Sequence, residues 1–139
     1  MMLNGWLKNT MDMETKFNFE SQPCTSREQS ERLLALGLKK ETADVTTHYE
    51  YGVATIIGMD YPYYVQLHTE LGHTDKFFEN IFPAWSLHRL IEMIKKSDYL
   101  HYDDMGCIKL YLEQDDFDRV IAIISIMVKE EYFNKEYLV

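Results

Sequence analysis

The groups in this chain whose type and spacing could do chemistry are one thiol and two imidazoles. Cys24 stands just ahead of a helix-capping stretch, where the positive end of the helix and nearby Arg27 could lower a thiol pKa and make it a reactive nucleophile. The competing reading is a small apolar residue packed beside Pro23 at the helix entrance. A phosphatase-type loop would place Arg six positions after the Cys, but Ser30 stands there, and no His lies near Cys24 in sequence. His68 and His101 both fall on segments patterned as strands. In His101-Tyr102-Asp103 the imidazole and the carboxylate share one side of a strand, a spacing that serves a metal ion or an acid/base pair. The alternative is that these are partly exposed strand residues beside tyrosines, since no third ligand is fixed by local spacing.

Other chemistries leave no trace. The phosphate loop GxxxxGK followed by Ser or Thr, the dinucleotide fingerprint GxGxxG, the zinc-protease helix HExxH, the GxSxG elbow and CxxC pairs are all absent. No cofactor is indicated. With 14 basic and 23 acidic residues the net charge is -9, a field that repels phosphate backbones and anionic lipid and so disfavours direct nucleic-acid binding.

The acidic residues concentrate late in the chain. Asp98, Asp103, Asp104, Glu113, Asp115, Asp116 and Asp118 face only Lys109 over 98–118. Solvated turns and helix capping account for such a run, and a surface for a basic protein partner is the functional alternative. The spacing of a calcium loop is missing. Ten tyrosines add a second theme. If Val53, Val65 and Leu110 face inward, Tyr64, Tyr99 and Tyr111 stand on the opposite face with His68 and His101, a platform for a partner or a small aromatic ligand. Tyrosine is also simply a common strand former.

The elements that must position these groups are three helices and two hairpins. Thr25 and Glu28 form a capping box for a helix over 26–36, closed by Gly37. Ser86 caps a second helix in which Leu87, Leu90, Ile91 and Ile94 make one stripe before Lys95 and Lys96. A third starts near Asp115 or Asp116 and presents Phe117, Val120, Ile121, Ile124, Met127 and Val128 on one face, widened by Ile123 and Ile126. Between the helices the period falls to two. Tyr49 to Ile57 and Tyr63 to Leu67, joined by Gly58-Met59-Asp60, read as one hairpin. Residues 99–103 and 108–112, turning at Gly106, read as another. Residues 73–76 read as loop, with Phe77, Phe78 and Phe82 as its anchors.

The order α-β-β-α-β-β-α predicts an α+β domain, a four-stranded antiparallel sheet with helices packed on one face. A chain of 139 residues fits one domain, here 23–139, preceded by a poorly ordered or extended segment over 1–22 in which Met11 or Met13 could be alternative starts. The longest uncharged apolar run is 120–128, too short to cross a bilayer. The N-terminus lacks a signal-peptide pattern, and two distant cysteines make no disulfide framework, so a cytoplasmic setting is expected.

Three stretches, PCTSREQSERLLALGLKKETAD (23–44), PAWSLHRLIEMI (83–94) and KEEYFNKEYLV (129–139), resemble a family of small proteins of unassigned function encoded by gut anaerobic bacteria, their phages and mobile elements. The resemblance covers about a third of the chain. It implies a bacterial or phage origin and a cytoplasmic setting, and carries no activity, cofactor or catalytic residue. The leading expectation is a non-enzymatic interaction module of a bacterial or phage accessory system, using Tyr64, His68, Tyr99, His101, Asp103, Asp104, Tyr111 and Asp115 against a protein partner. An uncovered sheet face would also invite self-association. The alternative is a small ligand-binding protein or enzyme with a His/Asp site, with Cys24 as a further candidate.

Overall fold

The computed structural model describes residues 21–97 and 116–139. Helix α1 (Arg27–Ala35) starts at Ser26, whose hydroxyl accepts the Gln29 N–H at 3.2 Å while the Gln29 side chain accepts the Ser26 N–H at 3.0 Å. The capping box thus sits one residue later than the Thr25 and Glu28 pairing predicts. The reason is that Thr25 is committed elsewhere: its N–H donates to the Trp85 carbonyl at 2.9 Å, and its Oγ1 accepts the Trp85 N–H at 3.0 Å. Gly37, at φ 101°, ends the helix as expected and lets Leu38 donate back to Leu33.

A 3₁₀ turn (Lys40–Thr42) leads into β1 (Val45–Glu50) and β2 (Val53–Ile57), an antiparallel hairpin whose two-residue turn is Tyr51-Gly52. Both turn residues have positive φ, 52° and 76°, the handedness that matches strand twist. The predicted turn at Gly58-Met59-Asp60 is instead the approach to helix α2 (Tyr61–Glu70). Tyr63, Val65 and Leu67 are therefore helical, not a strand. Pro62 in the first helical turn costs no hydrogen bond there, and Tyr61, Tyr64 and His68 recur at helical spacing with Tyr64 buried.

A short helix α3 (Asp75–Phe78) and strand β3 (Ile81–Ala84) follow. β3 pairs antiparallel with β1, placing Thr47 opposite Phe82 and His48 opposite Ile81. The described sheet has three antiparallel strands in the order β2-β1-β3, where four were expected. Helices lie on both of its sides rather than one: α1 meets the face carrying Thr47 and Phe82, and α2 and α3 meet the face carrying His48. The second predicted hairpin, 99–112, lies outside the described residues.

Helices α4 (Leu87–Lys95) and α5 (Phe117–Lys129) begin at Ser86 and Asp116, as the sequence predicts. The Ser86 hydroxyl accepts the Arg89 N–H at 3.1 Å and is itself held by the Asp44 carboxylate. The two helices pack together with Leu90, Met93, Ile94, Val120, Ile121, Ile124 and Met127 in the core, joined by Leu33, Leu38, Trp85 and Phe133. Leu90 and Ile124 are fully buried. Ile126, read as core-widening, points outward instead. Gln29 ties α1 to α5 by donating to Asp118 at 2.9 Å, with Arg32 on the same carboxylate oxygen at 3.2 Å.

Candidate functional site

The sequence-predicted residues divide into three groups. Tyr99, His101, Asp103, Asp104, Tyr111 and Asp115 lie outside the described residues. Tyr64 and His68 do meet, with ring centroids 4.3 Å apart, but on one face of α2 and not on an exposed sheet surface. Tyr64 is buried, so it offers no platform. Around them Phe77 stacks on His68 at 4.8 Å and on His73 at 4.1 Å, and His48 of β1 approaches Phe77 at 6.4 Å. This is an aromatic and imidazole layer between α2, α3 and the sheet. Nδ1 of His68 is buried with no hydrogen-bond partner among the described residues. No group of three or more His, Cys, Asp or Glu among the described residues could hold a metal ion.

Cys24 is buried, and its thiol pKa is raised, first by loss of solvation and then by the Asp44 carboxylate. Both causes act against the thiolate that nucleophilic chemistry needs. Alkylation of Cys24 by iodoacetamide, read by peptide mapping, is therefore expected to run at least about tenfold slower in the folded chain at pH 8 than after unfolding in urea. The same raised pKa sets a sign for stability. The folded chain keeps a proton that the unfolded chain releases, so this contribution is complete below the unfolded thiol pKa and is lost as pH rises through the folded value.

Cys24 instead helps to wall a groove of about 180 Å³ between the start of α1 and the sheet, lined by Gln22, Pro23, Cys24, Thr25, Ser26 and Arg27 above and by Thr47, Tyr49, Ala54, Ile56 and Phe82 below. Arg27 roofs it, with its guanidinium 4.4 Å from the Phe82 ring centre and 5.3 Å from that of Tyr49. Its charge is also paired with Glu31 at 3.3 Å. Several polar groups along the groove are satisfied internally. Thr25 Oγ1 bonds Ser30 and Trp85, Ser26 Oγ caps Gln29, Thr47 Oγ1 donates to the Phe82 carbonyl, and Gln22 Nε2 donates to Cys24 O and to Gln29 Oε1. What remains is an apolar slot without the converging polar groups that orient a small ligand.

Directional bonding is available at one border of the groove, the outer edge of β2. Glu50 opposite Val53 closes the turn, and such closing pairs exchange hydrogen bonds. With that phase, Val53, Thr55 and Ile57 bond to β1, while Ala54 and Ile56 turn their N–H and C=O groups outward. The other side of β1 agrees: Tyr49 donates away from β2, to the Asn80 carbonyl, at 2.8 Å. Among the described residues no strand lies beyond β2. Apolar side chains are open there as well, with Val53 and Ile56 exposed to 65% and 48% and Tyr51 of the adjoining turn to 95%. The opposite edge is closed to pairing, because buried Pro83 of β3 stands opposite Thr46, in the phase that turns outward, and has no N–H.

Sequence reading ran one strand from Tyr49 to Ile57, straight through the true turn at Tyr51-Gly52, and missed this site. The signal it carried was the uncharged run VATII, free of the Lys, Pro or bulge that normally blunts an edge strand. No family model matches the chain, and no curated protein and no solved structure matches it either.

Proposed function

We propose that this chain is a non-enzymatic protein-interaction module that binds an extended segment of a protein partner by strand addition to β2. The observation that carries the reading is the coincidence at Ala54 and Ile56 of outward-facing backbone groups and groove-lining side chains. Residues of an added strand that pair with these two project onto the same sheet face, so a partner segment with apolar residues two apart gains backbone bonds and groove burial together. The net charge of -9 favours partners with basic flanks. The setting that goes with this proposal is a bacterial or phage accessory system, as the resemblance implies. A second reading, a small-ligand site using His68, draws on its unpartnered Nδ1.

The test is fluorescence anisotropy of a labelled peptide of alternating Val and Thr added to the full chain. Saturable binding that is lost in Ile56→Lys supports strand addition. No binding, or binding indifferent to Ile56→Lys, contradicts it.

A further inference from the structure

We propose that the first occupant of this edge is the β2 strand of a second copy, paired antiparallel about Thr55 to give a two-fold dimer in which the described strands of both copies, three from each, form one continuous sheet. This rests on the strand-docking reading of β2. A two-fold axis through Thr55 places Ala54 opposite Ile56 of the other copy and Val53 opposite its Ile57. The residues with outward backbone groups, Ala54 and Ile56, then face each other as hydrogen-bonding pairs, and four bonds form between the copies.

The side chains fit the same register. On the groove face each small Ala54 lies across from an Ile56, so the isoleucine of one copy covers the open end of the groove of the other, where Ala54 leaves space. On the other face Thr55 meets Thr55, both exposed in the single chain, a favourable cross-strand pair. Charge selects this strip as well. Two copies each carrying -9 repel, and Val53–Ile57, which contains no charged residue, adds nothing to that repulsion where the strands meet. Val53 and Ile56 are exposed on opposite faces of the strand, so each face of the seam between the copies carries an open apolar side chain. A five-residue strand with one groove buries less than the roughly 800 Å² per partner of a standard stable interface, so the dimer is a weak one that dilution separates.

Sedimentation equilibrium of the full chain between about 1 and 100 μM, affinities at which weak interfaces separate, is expected to show reversible conversion from single to double mass. Thr55→Lys and Thr55→Glu each place like charges on the axis and are expected to weaken self-association at least about tenfold. An equimolar mixture of the two is expected to recover the double mass as a mixed pair, which also shows that neither variant failed to fold. Wild type that stays at single mass, variants that dimerise like wild type, or a mixture that does not re-form pairs would each overturn the proposal. A chain of single mass that still binds the Val-Thr peptide removes the self-pairing and leaves strand addition standing. Loss of both removes the two together.

Discussion

Replacing Trp85 with alanine is expected to cost about 4 kcal/mol of folding free energy, the upper range for a large aromatic lost from a packed core. Trp85 is fully buried where β3 gives way to α4, and it joins the sheet side of the molecule to the helical side. Its indole N–H donates to Thr42 Oγ1 at 2.9 Å, and its backbone is bonded in both directions to Thr25. The alanine variant keeps those backbone bonds and loses both the ring and its N–H bond, so packing at that junction is read as its excess cost over a variant that loses the N–H bond alone. A domain of this size has roughly 5–15 kcal/mol to lose, so this one change removes between about a quarter and most of it. Trp85→Phe keeps most of the volume and drops the N–H bond. Thr42 Oγ1 still donates to the Lys39 carbonyl at 2.7 Å, so no donor is stranded, and the cost should be about 1–2 kcal/mol. Urea unfolding followed by far-UV circular dichroism measures both. Equal costs for the two variants would show that the indole N–H, not the ring volume, holds the junction.

The largest expected effect on binding comes from the outer edge of β2. Ala54→Pro removes an N–H that does not serve β1, so the hairpin is retained while one bond to any added strand disappears. Ile56→Lys puts a solvated ammonium where an apolar wall was needed. Each change is expected to weaken binding of the Val-Thr peptide at least about tenfold, or about 1.4 kcal/mol. Together they should abolish it at accessible concentrations. The unfolding free energy of Ile56→Lys from urea denaturation should stay within about 0.5 kcal/mol of wild type, because the residue is about half exposed. A large stability loss with unchanged peptide affinity would mean that Ile56 serves the core and not a partner.

Helices α1, α4 and α5 were legible in the sequence because their signals are local, whereas α2 was read as a strand and α3 as loop. Ser86 and Asp116 announce their caps, Gly37 announces a stop, and the stripes through Leu90 and Ile124 have the period of a buried helix face. The hairpin was misplaced because Tyr61–Glu70 contains both periods at once: Tyr63, Val65 and Leu67 alternate, while Tyr61, Tyr64 and His68 recur at helical spacing. Tertiary packing of Tyr64 against His68 and Phe77 decides between them, and that contact involves a residue 13 positions away. β3 is only four residues long and contains Pro83, which argues against a strand until β1 is known to lie on its other side. The groove was illegible for the same reason. It joins residues 22–27, 47–56 and 82, and no single stretch of sequence carries it. For Cys24 the sequence set a reactive thiol against a small packed residue, and burial with a raised thiol pKa speaks against the reactive thiol. Its burial, which holds the thiol protonated, comes from these distant segments.

The most direct measurement is hydrogen exchange at single-residue resolution on the dilute full chain, with and without the Val-Thr peptide. The Ala54 and Ile56 amides are expected to exchange quickly in the free chain, while those of Val53, Thr55 and Ile57 are slow, and saturating peptide is expected to slow Ala54 and Ile56 at least about tenfold. Protection of Ala54 and Ile56 already present in the dilute free chain, or rates that the peptide leaves unchanged, would contradict strand addition to β2.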